Sequence, residues 1–430
     1  MTAGARGRRG YAARLFGPFR SAEARRLATM FAVVYFAQGM WSLPHQAIYF
    51  VLKERFGYTA TRVATLMSIT MIPWLIKPVY GLTSDLVPLF GRRRKSYFLL
   101  STSFAALAGL VLAAVPEYTP PAIAVLFGIM GLGLAFTDVL VDALMVEHGR
   151  HLGLTGGFQA VQWAAIYTAA IAVGIGGGRL AERGSLRLGF LLAALFPLVS
   201  FVVGLRVIRE PRRARVAGQF AAAWAAIRGS IGSRELWLVA GLILAWTFTP
   251  SLGTALYYYE TNTLGFSQQL IGNLAALSAC GAVVGALAYG GLSRILPLRR
   301  LLNLSIGLGV ISNLVYLGYR SPTSAVVIDA STGIVSMIAM LAFLDLAARA
   351  CPKRAESTFF ALLMSVYNAG TQGGQIVGGW IYESVGYGSL IWIGAAATAL
   401  CWVILPFVPI GRADRPADLA FAAGPATPAA

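Results

Sequence analysis

Charge is what this chain has least of. Asp, Glu, Lys and Arg make up 12% of its 430 residues, about half the share in an ordinary soluble domain. Hydrophobic residues make up 57%, more apolar side chain than a water-soluble fold of this length can hide. Cysteine is nearly absent too: Cys280, Cys351 and Cys401 show no paired spacing and no ligand pattern, which argues against a disulfide framework or a zinc site. No glycine-rich loop follows a strand and ends in a lysine with serine or threonine, so a nucleotide-driven motor is excluded. With no nucleophile–base pair and no ligand cluster, neither catalytic residues, nor a metal, nor a cofactor is expected.

Long apolar runs are what the chain does have. They approach or exceed twenty residues, the length that crosses about 30 Å of hydrocarbon at 1.5 Å per residue. Only helices and closed barrels satisfy every backbone polar group in lipid, and runs of this kind form helices. Twelve spans are expected, near 27–52, 59–86, 96–117, 120–147, 155–180, 187–208, 235–259, 268–293, 299–319, 322–348, 357–382 and 387–410. The arginine-rich residues 1–26 do not form a cleavable signal, so the first span stays as an anchor.

The net charge of +18 reads as topology rather than nucleic-acid binding. Placing the amino terminus inside puts 27 of the 35 Lys and Arg on inner segments. That asymmetry puts both termini in the cytoplasm, in a cytoplasmic (inner) membrane, with the inner basic groups against lipid headgroups. The stretch 209–234 interrupts the rhythm of short loops, and its 220–227 portion can lie as an amphipathic helix at the headgroup surface. A disordered basic linker would serve the same purpose. It separates a six-helix unit at 27–208 from a second at 235–410, with an Ala- and Pro-rich disordered tail at 411–430.

The two units share phrases. "YGLTSDLVPL" from Tyr80 returns as "YGGLSRILPL" from Tyr289, and "LAFTDVLVDA" from Leu134 as "LAFLDLAARA" from Leu341. "IGGGRLAE" from Ile175 returns as "IVGGWIYE" from Ile376. Three matches in one order predict a duplicated bundle whose halves rock about a site between them. Charge reverses at two places, Asp85 to Arg294 and Asp142 to Arg349. These groups can latch the inner mouth across the halves, or pair within each half with Arg92 to Lys95 and Glu356. Each such pair contributes about 0 to 1 kcal/mol.

"GLTSDLVPLFGRRRK" resembles the major facilitator signature between spans two and three, with Gly81, Asp85, Gly91, Arg92 and Arg93 in its roles and three extra residues before Gly91. The longer form, "PWLIKPVYGLTSDLVPLFGRRRKSYFLLS", and "TDVLVDALMVEHGR", which ends in Glu147 and its neighbours, resemble the folate/biopterin transporter family. The recognisable motifs cover about forty residues. The resemblance implies an all-α membrane protein of twelve transmembrane helices in two six-helix pseudo-repeats. It further implies secondary transport of folates, pterins or related solutes. The residues just named, with Asp142, Arg294 and Arg349 from the charge reversal between the halves, make up the expected inner gate.

Ionisable groups inside lipid face a cavity or a partner. Lys77 and Asp138 sit about 12–14 Å from the inner ends of their helices. Lys77 suits an anionic substrate and Asp138 a proton or a pterin-like ring, unless the two simply neutralise each other. Asp142, one turn on from Asp138, suits pairing with Arg92 or Arg93. Gln38, Trp41 and His45 form a polar stripe with Gln46 in span one. Gln162 and Trp163 in span five, Asn273 in span eight, and Asn368 and Gln372 in span eleven complete the candidate substrate wall, although hydrogen bonding between helices explains such amides equally well. Pro250 and Tyr257 to Tyr259 mark span seven as an outer gate or an aromatic belt. The expected function is a monomeric, proton-coupled transporter of a small organic anion. A non-transporting membrane assembly or pigment-delivery factor of the same fold is the alternative, and such a protein would need no aqueous path.

Overall fold

The computed structural model describes residue 19, residues 21–152, 154–212, 228, 233–351 and 356–410, without the side chains of residues 150, 155, 294 and 356–358. Most of the leading segment, the 213–227 part of the linker, the tail and the Arg294 side chain therefore lie outside the described residues. Within them the chain is helical, and no strand occurs beyond one isolated bridge between Leu89 and Arg92.

Among the described residues, nine helical stretches are long and apolar enough to cross a membrane. One of them, Phe359–Phe407, runs 49 residues and bends at Gly386, whose φ of 85° favours a residue without a Cβ. That bend divides it into the places expected for spans eleven and twelve. Spans two and seven fall outside the nine because each is interrupted. The count of twelve rests on reading these broken and kinked stretches as separate passes.

Proline sets the interruptions, since it lacks an N–H and clashes with the carbonyl four residues back. Span one runs as Ala22–Met40 and His45–Glu54 across a turn that ends in Pro44. Span seven runs as Arg234–Thr247 and Gly253–Asn262 around Pro250. The two breaks begin at Trp41 and Phe248, at equivalent places in the two halves. Span two is broken more heavily, into Ala60–Thr70, Ile72–Leu75 and Lys77–Leu86. Serine or threonine caps open several helices, with Ser21, Thr59, Ser233 and Ser267 each accepting a backbone N–H two or three residues into the first turn.

The core is divided unevenly along the membrane normal. Toward the end away from the basic loops, one apolar cluster runs through both halves and joins Trp41, Ile48 and Phe127 to Tyr257, Tyr258 and Tyr319. At the basic end two separate clusters replace it. Phe31, Leu140, Leu144 and Ile208 fill the first half, and Leu236, Phe343, Leu346 and Phe359 fill the second. Outside these cores, Leu287, Val327 and Trp392 stay at least 60% exposed, as expected of a surface solvated by lipid.

Glycines bring the halves together at the far end. A Cβ on Gly174 of span five would lie 2.6 Å from the Gly272 carbonyl oxygen of span eight, so the two backbones touch only because neither residue carries a side chain. The side-chain hydrogen bonds that join the halves lie from mid-height to this end. Gln46 Nε2 donates to the Gln268 carbonyl at 2.6 Å, the Tyr258 hydroxyl to the Tyr58 carbonyl, and Ser68 Oγ to Gln372 Oε1 at 3.1 Å.

Candidate functional site

The double break in span two positions the most polar mid-membrane group. The backbone leaves helical geometry at Ile76 (φ −104°, ψ 19°) and restarts at Lys77 with Pro78 behind it. The restart puts the positive end of a ten-residue helix and the Lys77 ammonium at one place in the bundle. Lys77 Nζ meets Asp138 Oδ2 of span four at 2.5 Å, with the two side chains 17% and 4% exposed. Asp142, one turn further along span four, accepts a hydrogen bond from the Tyr35 hydroxyl and one of 3.5 Å from Gln162 Nε2. It lies in the electrostatic field of both Lys77 and Asp138. Two carboxylates therefore face one ammonium, and a single proton balances the charge.

Asp142 is thus held by Tyr35 and Gln162, not by the expected Arg92 or Arg93. The arginine that organises the basic turn is their neighbour Arg94. It is 7% exposed, and its Nη2 lies 2.7 Å from Asp85 and 2.9 Å from Glu147 while Nη1 donates to Ser84 Oγ at 2.8 Å. Glu210 accepts the backbone N–H groups of Arg93, Arg94 and Lys95, each at 2.9 Å, and so caps span three. Phe90 and Gly91, both at positive φ, turn the chain tightly between Asp85 and these groups, while a Cβ on Gly81 would meet Val139 at ordinary contact distance. In the second half Arg349 binds Asp345 through Nε at 2.7 Å and Nη2 at 2.8 Å, and the Tyr289 hydroxyl donates to the same carboxylate at 3.2 Å. Among the described residues, no hydrogen bond carries Asp85, Asp142 or Glu147 across to the second half.

The polar stripe of span one does not form one face, because the Trp41–Pro44 turn splits it. Trp41 is 3% exposed and stacks on Phe127 at 4.6 Å between ring centroids, with His45 at its edge 4.9 Å away. Trp41 lies in the core cluster that runs through both halves, and His45 is half-buried beside it with its Nε2 without a partner among the described residues. Gln38 is half-buried and its Oε1 has no partner among the described residues. Gln162 joins Asp142 as described, and Trp163 is half-buried against Tyr167. Asn368 Nδ2 donates to the Trp74 carbonyl at 3.4 Å, and Gln372 takes the Ser68 hydroxyl, so both amides tie the halves together. Asn273 is exposed toward the far end and accepts from Gln269 at 2.8 Å.

Sequence reasoning passed over three groups that the structure makes prominent. Tyr35 stands one turn before Gln38, and that spacing was its one sequence signal. Arg94 looked equivalent to its neighbours in the run Arg92 to Lys95. Behind the span-seven tyrosines, the Tyr319 hydroxyl lies 2.6 Å from Glu260 Oε1 and 2.9 Å from Asp329 Oδ2, with all three side chains buried.

Comparison with known proteins places this architecture. The chain is 33% identical over 356 residues to the folate-biopterin transporter of Synechocystis, covering 78% of this chain and 70% of that one. It is 26% identical to folate transporter 1 of Plasmodium falciparum over 78% and 69% of the two chains. Among solved structures, a POT family transporter bound to a thioalcohol-conjugated peptide superposes with a TM-score of 0.70 at 15% identity, over 90% of this chain and 96% of its own. The D-xylose-proton symporter superposes at 0.65 with 15% identity, over 89% and 97%. These likenesses identify the major facilitator fold. The profile of the BT1 family matches residues 38–408, and the chain belongs to that family.

Proposed function

We propose that the protein is a secondary transporter that moves a folate, pterin or related organic anion by alternating access, with a proton as the coupling ion. The transporter names carried by its relatives support the substrate class and leave no place for an enzyme. The observation that carries the coupling is the Lys77–Asp138 pair with Asp142 beside it. When Asp138 takes a proton, Lys77 loses the carboxylate it contacts and becomes free to bind a substrate carboxylate. When the proton leaves, Asp138 reclaims Lys77 and the anion is released. The Asp138 carboxylate and the substrate carboxylate therefore compete for the one Lys77 ammonium, which ties proton binding to anion binding.

The sides follow from charge. With the basic end in the cytoplasm, the single core at the far end and the divided core at the basic end describe a molecule open inward. The opposite state would close the basic end. Asp85 and Glu147 of the first half then face the basic groups of the second, including Arg349 and Arg294, and the far-end contacts part. The protein works as a monomer in this reading, because each chain contains both halves and the cleft between them.

Uptake of labelled folate, a pterin and a nucleoside into sealed vesicles holding the purified protein tests this function. Accumulation of folate or pterin that grows with an imposed pH gradient and collapses with an ionophore is expected. No gradient-dependent uptake of any of the three would favour the assembly-factor reading.

A further inference from the structure

A cavity of about 440 Å³ opens at the basic end of the first half, away from the Lys77 site, between the ends of spans one, four and six. Its inner wall is apolar, formed by Leu27, Met30 and Leu144, and its rim carries Arg26, His148 and Arg209 with one acid, Glu23. We propose that this cavity binds the anionic phosphodiester headgroup of an inner-leaflet phospholipid, with the start of an acyl chain against the apolar wall.

Three observations point to an anion. The Arg26 Nε is buried and has no hydrogen-bond partner among the described residues. The first turn of the helix Ala22–Met40 lines the cavity, and its positive end favours negative charge. Arg26 and Arg209 outnumber the one acid, Glu23, which lies 3.6 Å from His148 Nδ1, so positive charge is in excess. The two acids adjacent in sequence to lining residues are committed elsewhere, Glu210 to the backbone N–H groups of span three and Glu147 to Arg94.

The apolar wall and the membrane position select a lipid over a soluble anion. A cavity of this size falls within the range of small-molecule sites, and basic pockets between transmembrane helices at the cytoplasmic surface suit anionic headgroups. The chain's own neighbouring segments do not complement it. Residues 1–18 carry four arginines and no acid, and 213–232 carry three arginines and no acid, so each is of like charge to the rim.

The test uses the full chain in nanodiscs of mixed phosphatidylcholine and phosphatidylglycerol, extracted into mild detergent, with retained lipid counted by mass spectrometry. The parent protein should retain phosphatidylglycerol over phosphatidylcholine about tenfold. Arg26→Gln with Arg209→Gln should bring that preference to parity, whereas Arg299→Gln with Arg300→Gln, which removes the same charge at the basic end of the second half, should keep it. His148→Glu, on the half-exposed rim, provides a second variant should the arginine pair fail to fold, and it should lose the preference as well. Equal preference in all variants would overturn the proposal. So would inorganic phosphate displacing the lipid at equal concentration, since that would make the cavity a site for a free anion.

Discussion

Glu182 and Glu383 make the same contact in the two halves. Glu182, at the end of span five, accepts the backbone N–H of Gln269 at 3.0 Å, and Glu383, in span eleven, accepts that of Thr61 at 2.6 Å. Gln269 and Thr61 are each the second residue of a helix in the opposite half. Both glutamates end the repeated phrase that begins at Ile175 and Ile376. The duplication therefore built a pair of latches related by pseudo-symmetry, each setting a carboxylate on the positive end of a helix.

Both carboxylates are exposed, so each latch contributes about 0.5 to 1 kcal/mol. Glu182→Gln with Glu383→Gln should shift the balance toward the outward-open state by roughly tenfold. Labelling of Ser68→Cys by a membrane-impermeant maleimide, in a Cys280→Ser background, reads this as faster modification from the far side. An unchanged rate would show that the latches do not hold the mouth.

Gly272→Val should act in the same sense and more strongly. Its new Cβ would meet the Gly174 carbonyl oxygen at 2.3 Å, a clash that rigid backbone cannot absorb without moving. The far end should stay apart, with uptake lost and far-side labelling of Ser68→Cys raised. Retained transport would mean that the close glycine contact is dispensable.

The two carboxyls near Tyr319 share a hydroxyl that has one hydrogen to give. Tyr319→Phe should destabilise the second half by about 1 to 3 kcal/mol, seen as a fall in melting temperature of the detergent-purified protein. A melting curve identical to the parent's would indicate that Glu260 and Asp329 find other partners.

Arg94 serves Asp85, Glu147 and Ser84 at once, which a planar guanidinium does and a lysine ammonium does not. Arg94→Lys should therefore lose most of the stability that Arg94→Ala loses, whereas Arg92→Lys should be near neutral. Equal melting temperatures for Arg94→Lys and the parent would remove the special place of this residue in the basic turn.

What the sequence made legible was whatever depends on composition or on chain geometry alone. Apolar length located the helices, the repeated phrases at Tyr80 and Tyr289 gave the two halves, and Pro44 and Pro250 marked the matched breaks in spans one and seven. Helix rotation is a different kind of information. Trp41 and His45 read as a polar stripe, yet past the turn ending at Pro44 the Trp41 ring stacks in the core on Phe127 while His45 stays half-buried at its edge. Likewise the choice of Arg94 over Arg92 or Arg93 depends on which way the Phe90–Gly91 turn throws the chain. Lys77 and Asp138 were found because a charge deep in lipid is conspicuous at any rotation.

The Lys77–Asp138 pair carries the central claim, and Asp138→Asn tests it most directly. In sealed vesicles with an imposed pH gradient, the parent should accumulate labelled folate or pterin. The variant, its Lys77 permanently without the Asp138 carboxylate, should still exchange labelled for unlabelled substrate across the membrane but fail to concentrate it. Accumulation by Asp138→Asn equal to that of the parent would contradict the account.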